Sequence, residues 1–225
     1  MFERMESPSA PSRVRATIDR IVADGRAVSQ RDGSEHALFP IAIPPEEGEA
    51  LRSWVIREGA VRTIEVGLGY GISALFICDG LLAGGDPGAN HVAIDPNQES
   101  RFSNCALEFL EEAGVRDLME FDAEESQIAL PKFLAEGRTF DLAFVDGNHR
   151  FDAIFTDLMF LGRLVRPGGV VFVDDYQLPA IEKAASFLSR TWTGSWRRSR
   201  PRRPPSVGRT ENVTSAGYSS LRLVR

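Results

Sequence analysis

From Val61 onward, short apolar runs alternate with longer stretches that have helical character. The apolar runs predict five strands, at residues 62–67, 91–95, 118–122, 140–146 and 169–175. The stretches between them predict four helices, at Ile72–Leu82, Glu99–Ala113, Ser126–Glu136 and Phe151–Val165. Because consecutive parallel strands need a long crossover that covers one sheet face, this alternation indicates a parallel sheet. The runs are nearly all apolar, as expected of strands buried on both faces.

The flanking segments predict further elements. Helices are expected at Val14–Ala23, Pro45–Arg57 and Pro179–Ser189, and residues 191–199 and 218–225 could form two final strands. The fold class is therefore α/β, a Rossmann-like doubly wound sheet that is mostly parallel, with seven strands, a final antiparallel strand and helices on both faces.

The domain organisation follows from the absence of internal repeats and of a convincing linker. The whole chain is assigned to one domain. It would comprise an N-terminal helical segment (1–60), a core (61–190) and C-terminal strands with an Arg-rich loop (191–225).

The composition is typical of a globular cytoplasmic protein, with 43% hydrophobic and 26% charged residues. No apolar run reaches the roughly 18 residues of a membrane span, and the N-terminus lacks the apolar segment of a secretory signal. Cys78 and Cys105 lie in predicted helices, where reduced, core-packing thiols are expected.

The net charge of −6 is unevenly distributed along the chain. Residues 190–225 hold nine arginines and one acid, Glu211, a balance of +8 that leaves −14 for the remainder. A basic tail could contact nucleic acid or an anionic partner. Since this tail carries only three aromatic residues for stacking, a solvated Arg-rich loop is favoured.

The first core strand leads into a glycine-rich turn, Glu65-Val-Gly67-Leu-Gly69-Tyr-Gly71-Ile-Ser73. In an open parallel sheet, ligands bind outside the carboxyl ends of the strands, and glycines let the backbone approach them closely. The spacing G-x-G-x-G differs from the dinucleotide pattern G-x-G-x-x-G. The Glu65 carboxylate suits a cationic ligand and would repel a pyrophosphate, which favours S-adenosylmethionine over NAD. A simple tight turn is the alternative.

Acidic residues end the second and third strands. Asp95 is positioned to accept hydrogen bonds from ribose hydroxyls. Asp122 could accept the exocyclic amine of adenine, or it could cap the following helix, a role for which Ser126 competes.

Carboxylates also end the fourth and fifth strands, with Asp146 in VDGNH and with Asp174 and Asp175 in PGGVVFVDD. Three carboxylates at one sheet edge repel one another unless they are protonated, hydrogen-bonded or neutralised. Helix capping would explain each one singly, but the trio favours a Mg²⁺ ion or a similar divalent cation. His149 could accept a hydroxyl proton during catalysis, or it could be an ordinary surface histidine.

Together these motifs resemble the class I S-adenosylmethionine-dependent methyltransferases, over about Pro44 to Ser189. EVGLGYGIS is similar to their cofactor loop, Asp95 to their ribose-binding acid, and VDGNH with PGGVVFVDD to their metal and base region. Within this superfamily, the chain most resembles the small bacterial relatives of the catechol and caffeoyl-CoA O-methyltransferases and the metal-dependent macrolide-sugar O-methyltransferases.

The resemblance implies a metal-assisted O-methyltransferase that acts on a small-molecule hydroxyl. It implies that Asp146, Asp174 and Asp175 are metal ligands, that His149 and Asp146 are catalytic, and that Asp146 also contacts the cofactor. The catechol enzymes carry Asp, Asp and Asn at the ligand positions and a lysine in place of His149. These departures shift the expected acceptor from catechols towards sugar or alcohol hydroxyls.

Other functions stay open at this point. The segment 197–209 could direct methylation to RNA, the glycine loop could serve a nicotinamide-dependent oxidoreductase, or the chain could be a catalytically silent cofactor-binding protein. We expect a small-molecule acceptor and no membrane or nucleic-acid partner, and the N-terminal helices could cover a homodimer surface.

Overall fold

The computed structural model describes residues 10–191, 197–199 and 221–224. In this part of the chain the helices are α1 (Ala10–Asp24), α2 (Pro45–Arg57), α3 (Ile72–Gly84), α4 (Cys105–Ala113), α5 (Ser126–Ala135), α6 (Phe151–Leu164) and α7 (Pro179–Thr191). The strands are β1 (Arg26–Val28), β2 (Glu35–Ala37), β3 (Arg62–Val66), β4 (Asn90–Ile94), β5 (Met119–Asp122), β6 (Phe140–Val145), β7 (Val165–Val173), β8 (Arg197–Ser199) and β9 (Leu221–Val224). None of these helices combines the length and apolar character needed to cross a bilayer.

The main sheet has seven strands in the order β5-β4-β3-β6-β7-β9-β8. Strands β3 to β7 are parallel to one another, and β9 runs antiparallel to both β7 and β8. This confirms the predicted mostly parallel sheet with a final antiparallel strand. The chain builds outward in one direction from β3 to β5 and in the other from β6, so the switch point lies between β3 and β6, where ligands bind in such sheets. Of the predicted Arg-rich loop 197–209, residues 200–209 lie outside the described residues.

Alternating side chains of the sheet enter two separate cores. Leu142 and Phe144 of β6 pack with helices α1 to α4 on one face. Ala143 and Val145 of the same strand pack with α5, α6 and α7 on the other. Since successive residues of a strand point to opposite faces, an all-apolar strand such as β6 must be covered on both sides.

Three features differ from the sequence-based expectation. Strands β1 and β2 form a separate antiparallel hairpin that the pattern did not predict. Helix α4 begins at Cys105 rather than Glu99, because Ser103 and Asn104 adopt left-handed backbone conformations that no helix can include. Strand β7 begins at Val165, before the Pro-Gly-Gly turn, and its pairing with β6 shifts register there.

The contact between α2 and α3 leaves no room for a side chain at Gly48. A Cβ added there would lie 2.1 Å from Cδ2 of the buried Phe76 ring. We expect Gly48→Ala to lower the free energy of unfolding by about 1–3 kcal/mol, because an extra methyl group in a packed core forces neighbouring groups apart.

Urea denaturation measures this change, with Gly84→Ala as the matched control. Gly84 also lies in a helix, but a Cβ there meets nothing within 4 Å. That variant should keep or gain about 0.4–1 kcal/mol from the better helix propensity of alanine. Equal stability of the two variants would contradict the packing argument.

Candidate active site

Four neighbouring parallel strands end at the same level of the sheet. In β4, β3, β6 and β7, the last paired residues are Val66 with Ile94 and Val145, and Val145 with Val173. The residues that follow the strands, Gly67, Asp95, Asp146 and Asp174, therefore lie side by side along one edge. The structure thus brings together four of the residues that the sequence singled out.

The glycine loop passes close over the neighbouring strand end. Gly67 has a φ of +95°, and a Cβ there would lie 2.1 Å from the Asp146 carbonyl oxygen, so only glycine fits this crossing. Gly69 and Gly71 also have positive φ values, of +52° and +78°. At these glycines the loop presents its backbone, without a side chain, to the space above the sheet edge.

Glu65 lies beneath this loop and is fully buried. The Ser73 hydroxyl donates to its Oε2 at 2.7 Å, and His91 Nε2 lies 3.0 Å from its Oε1. Since a carboxylate only accepts, Nε2 is the donor to Glu65, and His91 Nδ1 lies 2.9 Å from the Thr63 hydroxyl oxygen. Glu65 does not line the cavity in this structure, whereas Ser73 does.

Asp95 is bound to the glycine loop from the second strand. Its Oδ2 accepts from the backbone amides of Leu68 and Gly69 at 3.1 and 2.9 Å, and its Oδ1 accepts from Asn97 N at 2.8 Å. The buried Gln98 amide donates to the Gly69 carbonyl oxygen at 2.7 Å. Asp95 and Gln98 together fix the loop, and sequence inspection did not identify Gln98.

Asp122, at the end of β5, lies outside the cavity lining. Asp122 accepts a hydrogen bond from the Glu124 amide at 2.9 Å. Neither it nor Ser126 makes a side-chain cap to α5, whose N-cap residue is Glu125. The cavity wall here consists of Glu125, Ser126 and Gln127.

A second group of polar atoms forms next to Gly67. The group comprises Asp146, His149 and Asp175. Each residue offers one potential ligand atom, and the three atoms lie within 4.8 Å of one another. His149 Nε2 lies 3.5 Å from Asp146 Oδ1 and 3.4 Å from Asp175 Oδ2. The His149 side chain is 42% exposed, so a molecule in the cavity can reach it. Oxygen donors of this kind can hold a divalent cation.

Asp174 lies beside this group and outside it. Its side chain is buried, and its Oδ1 accepts from the Asp175 amide at 2.7 Å. Asp175 has a left-handed φ of +51°, so the two adjacent carboxylates are not arranged as on a regular strand. Glu47 of α2, which the sequence motifs did not single out, interacts with Asp174.

Burial and mutual repulsion shift the protonation of these acids. Burial, followed by the charge of Asp174, raises the pKa of Glu47 to about 8. Burial likewise raises the pKa of Asp146 to about 7, although the hydrogen bond from His149 opposes the shift. The hydrogen bond to Asp146 raises the pKa of His149. Perturbed groups that share one cleft are typical of a functional site.

The glycine loop and the acidic group line one cavity of about 1090 Å³. Residues Pro40 to Ile43, which precede α2, form one wall. Tyr70 and Phe102 form another, with their rings in edge-to-face contact at 5.1 Å. The volume is large enough for two ligands that meet above the sheet edge, because pockets for one small molecule measure roughly 300–1,000 Å³.

Comparison with known proteins identifies the family. Residues 64–176, just over half of the chain, match a family described as a methyltransferase domain. The chain belongs to this family. The matched region begins one residue before Glu65 and ends one residue after Asp175, so it contains the glycine loop and the whole acidic group of the methyltransferase domain.

Two curated plant relatives are similar to the domain. Tricin synthase 2 of Oryza sativa subsp. japonica is 36% identical over 146 residues, which is 63% of this chain and 47% of that protein. Caffeoyl-CoA O-methyltransferase of Populus kitakamiensis is 28% identical over 151 residues, 66% of this chain and 60% of that protein. The chain thus matches about half to three fifths of the length of these relatives.

Solved structures share the fold over nearly the whole chain. An O-methyltransferase from Bacillus cereus in complex with SAH has a TM-score of 0.68 at 17% identity and covers 98% of this chain and 93% of its own. The O-methyltransferase TomG of Streptomyces achromogenes in complex with SAM has a TM-score of 0.66 at 22% identity, with coverages of 97% and 91%. At such identities the likeness establishes the fold alone.

The buried acids predict how stability depends on pH. Carboxyl groups in an unfolded chain have pKa values near 4. The folded protein keeps protons on Asp146 up to a pKa of about 7 and on Glu47 up to a pKa of about 8, whereas the unfolded chain has released them. Rising pH therefore favours unfolding across this window.

We expect the free energy of unfolding, measured by urea denaturation with a chelator present, to fall between about pH 5 and about pH 8. Asp146→Asn removes one of the titrating groups and should make the decline shallower. A stability that is constant or rises with pH over the same range would refute this account of the acidic group.

Proposed function

We propose that this chain is an S-adenosylmethionine-dependent, divalent-metal-assisted O-methyltransferase that acts on a hydroxyl of a small sugar or natural-product molecule. One observation carries the proposal. A glycine loop and a group of acids with a histidine lie side by side in one cavity, at the switch point of the sheet. The O-methyltransferase name of the Populus relative supports the same reaction class.

The donor end of the cavity suits a cationic nucleoside. Backbone amides and carbonyls of the glycine loop are accessible there, and Asp95 and Ser73 line the wall beside them. Asp95 Oδ2 already accepts from the amides of Leu68 and Gly69 and from Gln98 Nε2, whereas Oδ1 accepts only from Asn97 N and keeps a lone pair for a ribose hydroxyl. The acids of the cavity, Asp95, Asp146, Asp174 and Asp175, would attract a sulfonium and an ammonium group.

The acceptor end suits a hydroxyl group that must lose a proton. In this reaction class the methyl carbon passes from sulfur to the acceptor oxygen, one C–S bond breaks, one C–O bond forms and the hydroxyl proton leaves. His149 is the group that would take this proton, because its imidazole is exposed to the cavity between Asp146 and Asp175. The two carboxylates orient the ring and stabilise its protonated form.

The acidic group fits a hard divalent cation. Asp146, Asp174 and Asp175 would hold it by oxygen atoms, and side-chain ligand atoms of Asp146 and Asp175 lie within 4.8 Å of each other. When bound, such a cation lowers the pKa of an acceptor hydroxyl and stabilises the developing oxyanion. Its charge would also weaken the hold of the acids on the His149 proton and so favour the neutral, basic imidazole.

Binding of the methyl donor is the first test. We expect calorimetry to give saturable binding of S-adenosylmethionine and none of NAD, because the acids repel a pyrophosphate. Asp95→Ala should weaken binding by about ten- to hundredfold, as expected for the loss of charged hydrogen bonds worth about 1.5–3 kcal/mol.

Asp86→Ala is the matched control for Asp95→Ala. Asp86 makes the same kind of turn, accepting from the Gly88 amide at 2.8 Å, but it lies in an exposed loop away from the cavity. This control should keep full affinity. A folded protein that binds no S-adenosylmethionine, or that binds NAD, would overturn the proposed reaction.

The catalytic role of His149 gives a separate prediction. We expect His149→Ala to reduce turnover by about 10²- to 10⁴-fold, with little change in the affinity for S-adenosylmethionine, because the variant loses proton transfer and keeps the donor site. Turnover is measured across the pH range with an acceptor found by screening polyhydroxyl compounds and added Mg²⁺. Full turnover of the variant at every pH would exclude His149 as the base.

A further inference from the structure

We propose that Gln98 is a positioning residue of the donor site, which holds Asp95 and the glycine loop in the geometry that receives a ribose. The inference rests on the methyl donor of the proposed function. Gln98 does not line the cavity itself and acts through Asp95 and Gly69, which do.

The first observation is the pair of hydrogen bonds that the buried Gln98 amide makes. Its Nε2 donates to the Gly69 carbonyl oxygen at 2.7 Å and to Asp95 Oδ2 at 3.2 Å. Both partners only accept, so the nitrogen of the amide must face them. Oε1 is buried and receives no hydrogen bond from the described residues. The two bonds made by Nε2 therefore decide how the side chain is oriented.

The second observation is that Gly69 is held from both sides. Its amide donates to Asp95 Oδ2 at 2.9 Å, and its carbonyl oxygen accepts from Gln98. The two side chains that hold Gly69 are also bonded to each other, so the loop and the carboxylate cannot turn independently. In this arrangement Asp95 keeps Oδ1, which accepts from Asn97 N, as the oxygen with a lone pair for a ribose hydroxyl.

The third observation is the irregular backbone between β4 and α4, which carries Gln98. Ser103 and Asn104 have φ values of +49° and +58°, a conformation that costs free energy in residues other than glycine. The Asn104 amide donates to the Gln98 carbonyl oxygen at 2.8 Å. In a helix that began at Glu99, that oxygen would accept from residue 102 instead. The left-handed turn thus fixes the backbone of Gln98 beside the glycine loop, and such strain is common at functional sites.

Glutamine has the chemistry that this position needs, because its nitrogen offers two hydrogens to two acceptors. Methionine has a similar length and flexibility but no donor. Glutamate has the same shape, but its ionised form would bring a second negative charge against Asp95. These two substitutions therefore separate the hydrogen bonds of Gln98 from its packing.

The test is a calorimetric titration of the full-length protein with S-adenosylmethionine. Wild type, Gln98→Met, Gln98→Glu and Gln30→Met are compared, and the urea midpoint of each variant verifies that it folds. Gln30 is the matched control, because it is exposed in the turn of the β1–β2 hairpin and does not line the cavity.

We expect Gln98→Met to weaken donor binding about tenfold, because the hydrogen bond to the charged Asp95 is lost, and Gln30→Met to leave it unchanged. Gln98→Glu should weaken binding more strongly at neutral pH. Its affinity should recover relative to wild type as the pH is lowered, since a protonated carboxyl group can donate again. Asp95, the ionisable side chain that Gln98 contacts, is present in both proteins, so wild type at each pH is the reference.

The outcomes separate this inference from the proposed function. If wild type binds the donor and Gln98→Met binds it equally well, the positioning role is refuted and the proposed function stands. An affinity loss in Gln98→Glu that is the same at every pH would also refute it, because that result indicates packing alone, and this profile decides if Gln98→Met does not fold. If folded wild type binds no S-adenosylmethionine, the proposed function itself falls.

Discussion

The ends of four parallel strands lie in register, and the geometry of the candidate site depends on this constraint. Hydrogen bonds continue one residue beyond the ladder, from Gly67 N to Ile94 O and from Asp146 N to Val66 O, each at 2.9 Å. The backbone of the glycine loop therefore crosses directly over Asp146. A slip of one residue in any of these strands would turn its terminal side chain to the opposite face and break the site.

This constraint creates an electrostatic cost. Fixed strand ends hold carboxylates closer together than free side chains would lie, and burial removes the water that would screen them. The protein offsets part of the cost through protonation and through His149, which explains the raised pKa values of Asp146 and Glu47. These acids lower the free energy of unfolding of the ligand-free protein, and a bound cationic donor or metal ion would raise it again. Such local destabilisation is common at functional sites.

Much of this arrangement could be predicted from the sequence. The apolar runs located β3 to β7 because strands buried on both faces leave an uninterrupted signal, and the polar residues after each run marked the carboxyl ends. Prediction failed where no local signal exists. Ser103 and Asn104 adopt left-handed conformations that are normally those of glycine, so the late start of α4 could not be predicted.

The sequence contains one local indication of the β1–β2 hairpin. Asp32-Gly33 is a typical hairpin turn pair, but its flanking strands are only three residues long.

The burial of the Glu47 carboxyl group could not be predicted for a different reason. Glu46 and Glu47 both suit the start of a helix, and only the packing of α2 decides that Glu46 is exposed and that the carboxyl group of Glu47 is buried. That information is tertiary and cannot be derived from neighbours in the chain.

The division between the matched and unmatched parts of the chain has a physical meaning. The glycine loop, Asp95 and the three aspartates all lie within residues 64–176, where the sheet fixes their positions. The wall formed by residues 40–43 lies before this region, outside the strands of the sheet. Changes there can alter the shape of the cavity without moving a strand end. Acceptor specificity should therefore depend on the N-terminal wall, while donor binding depends on the register of the sheet.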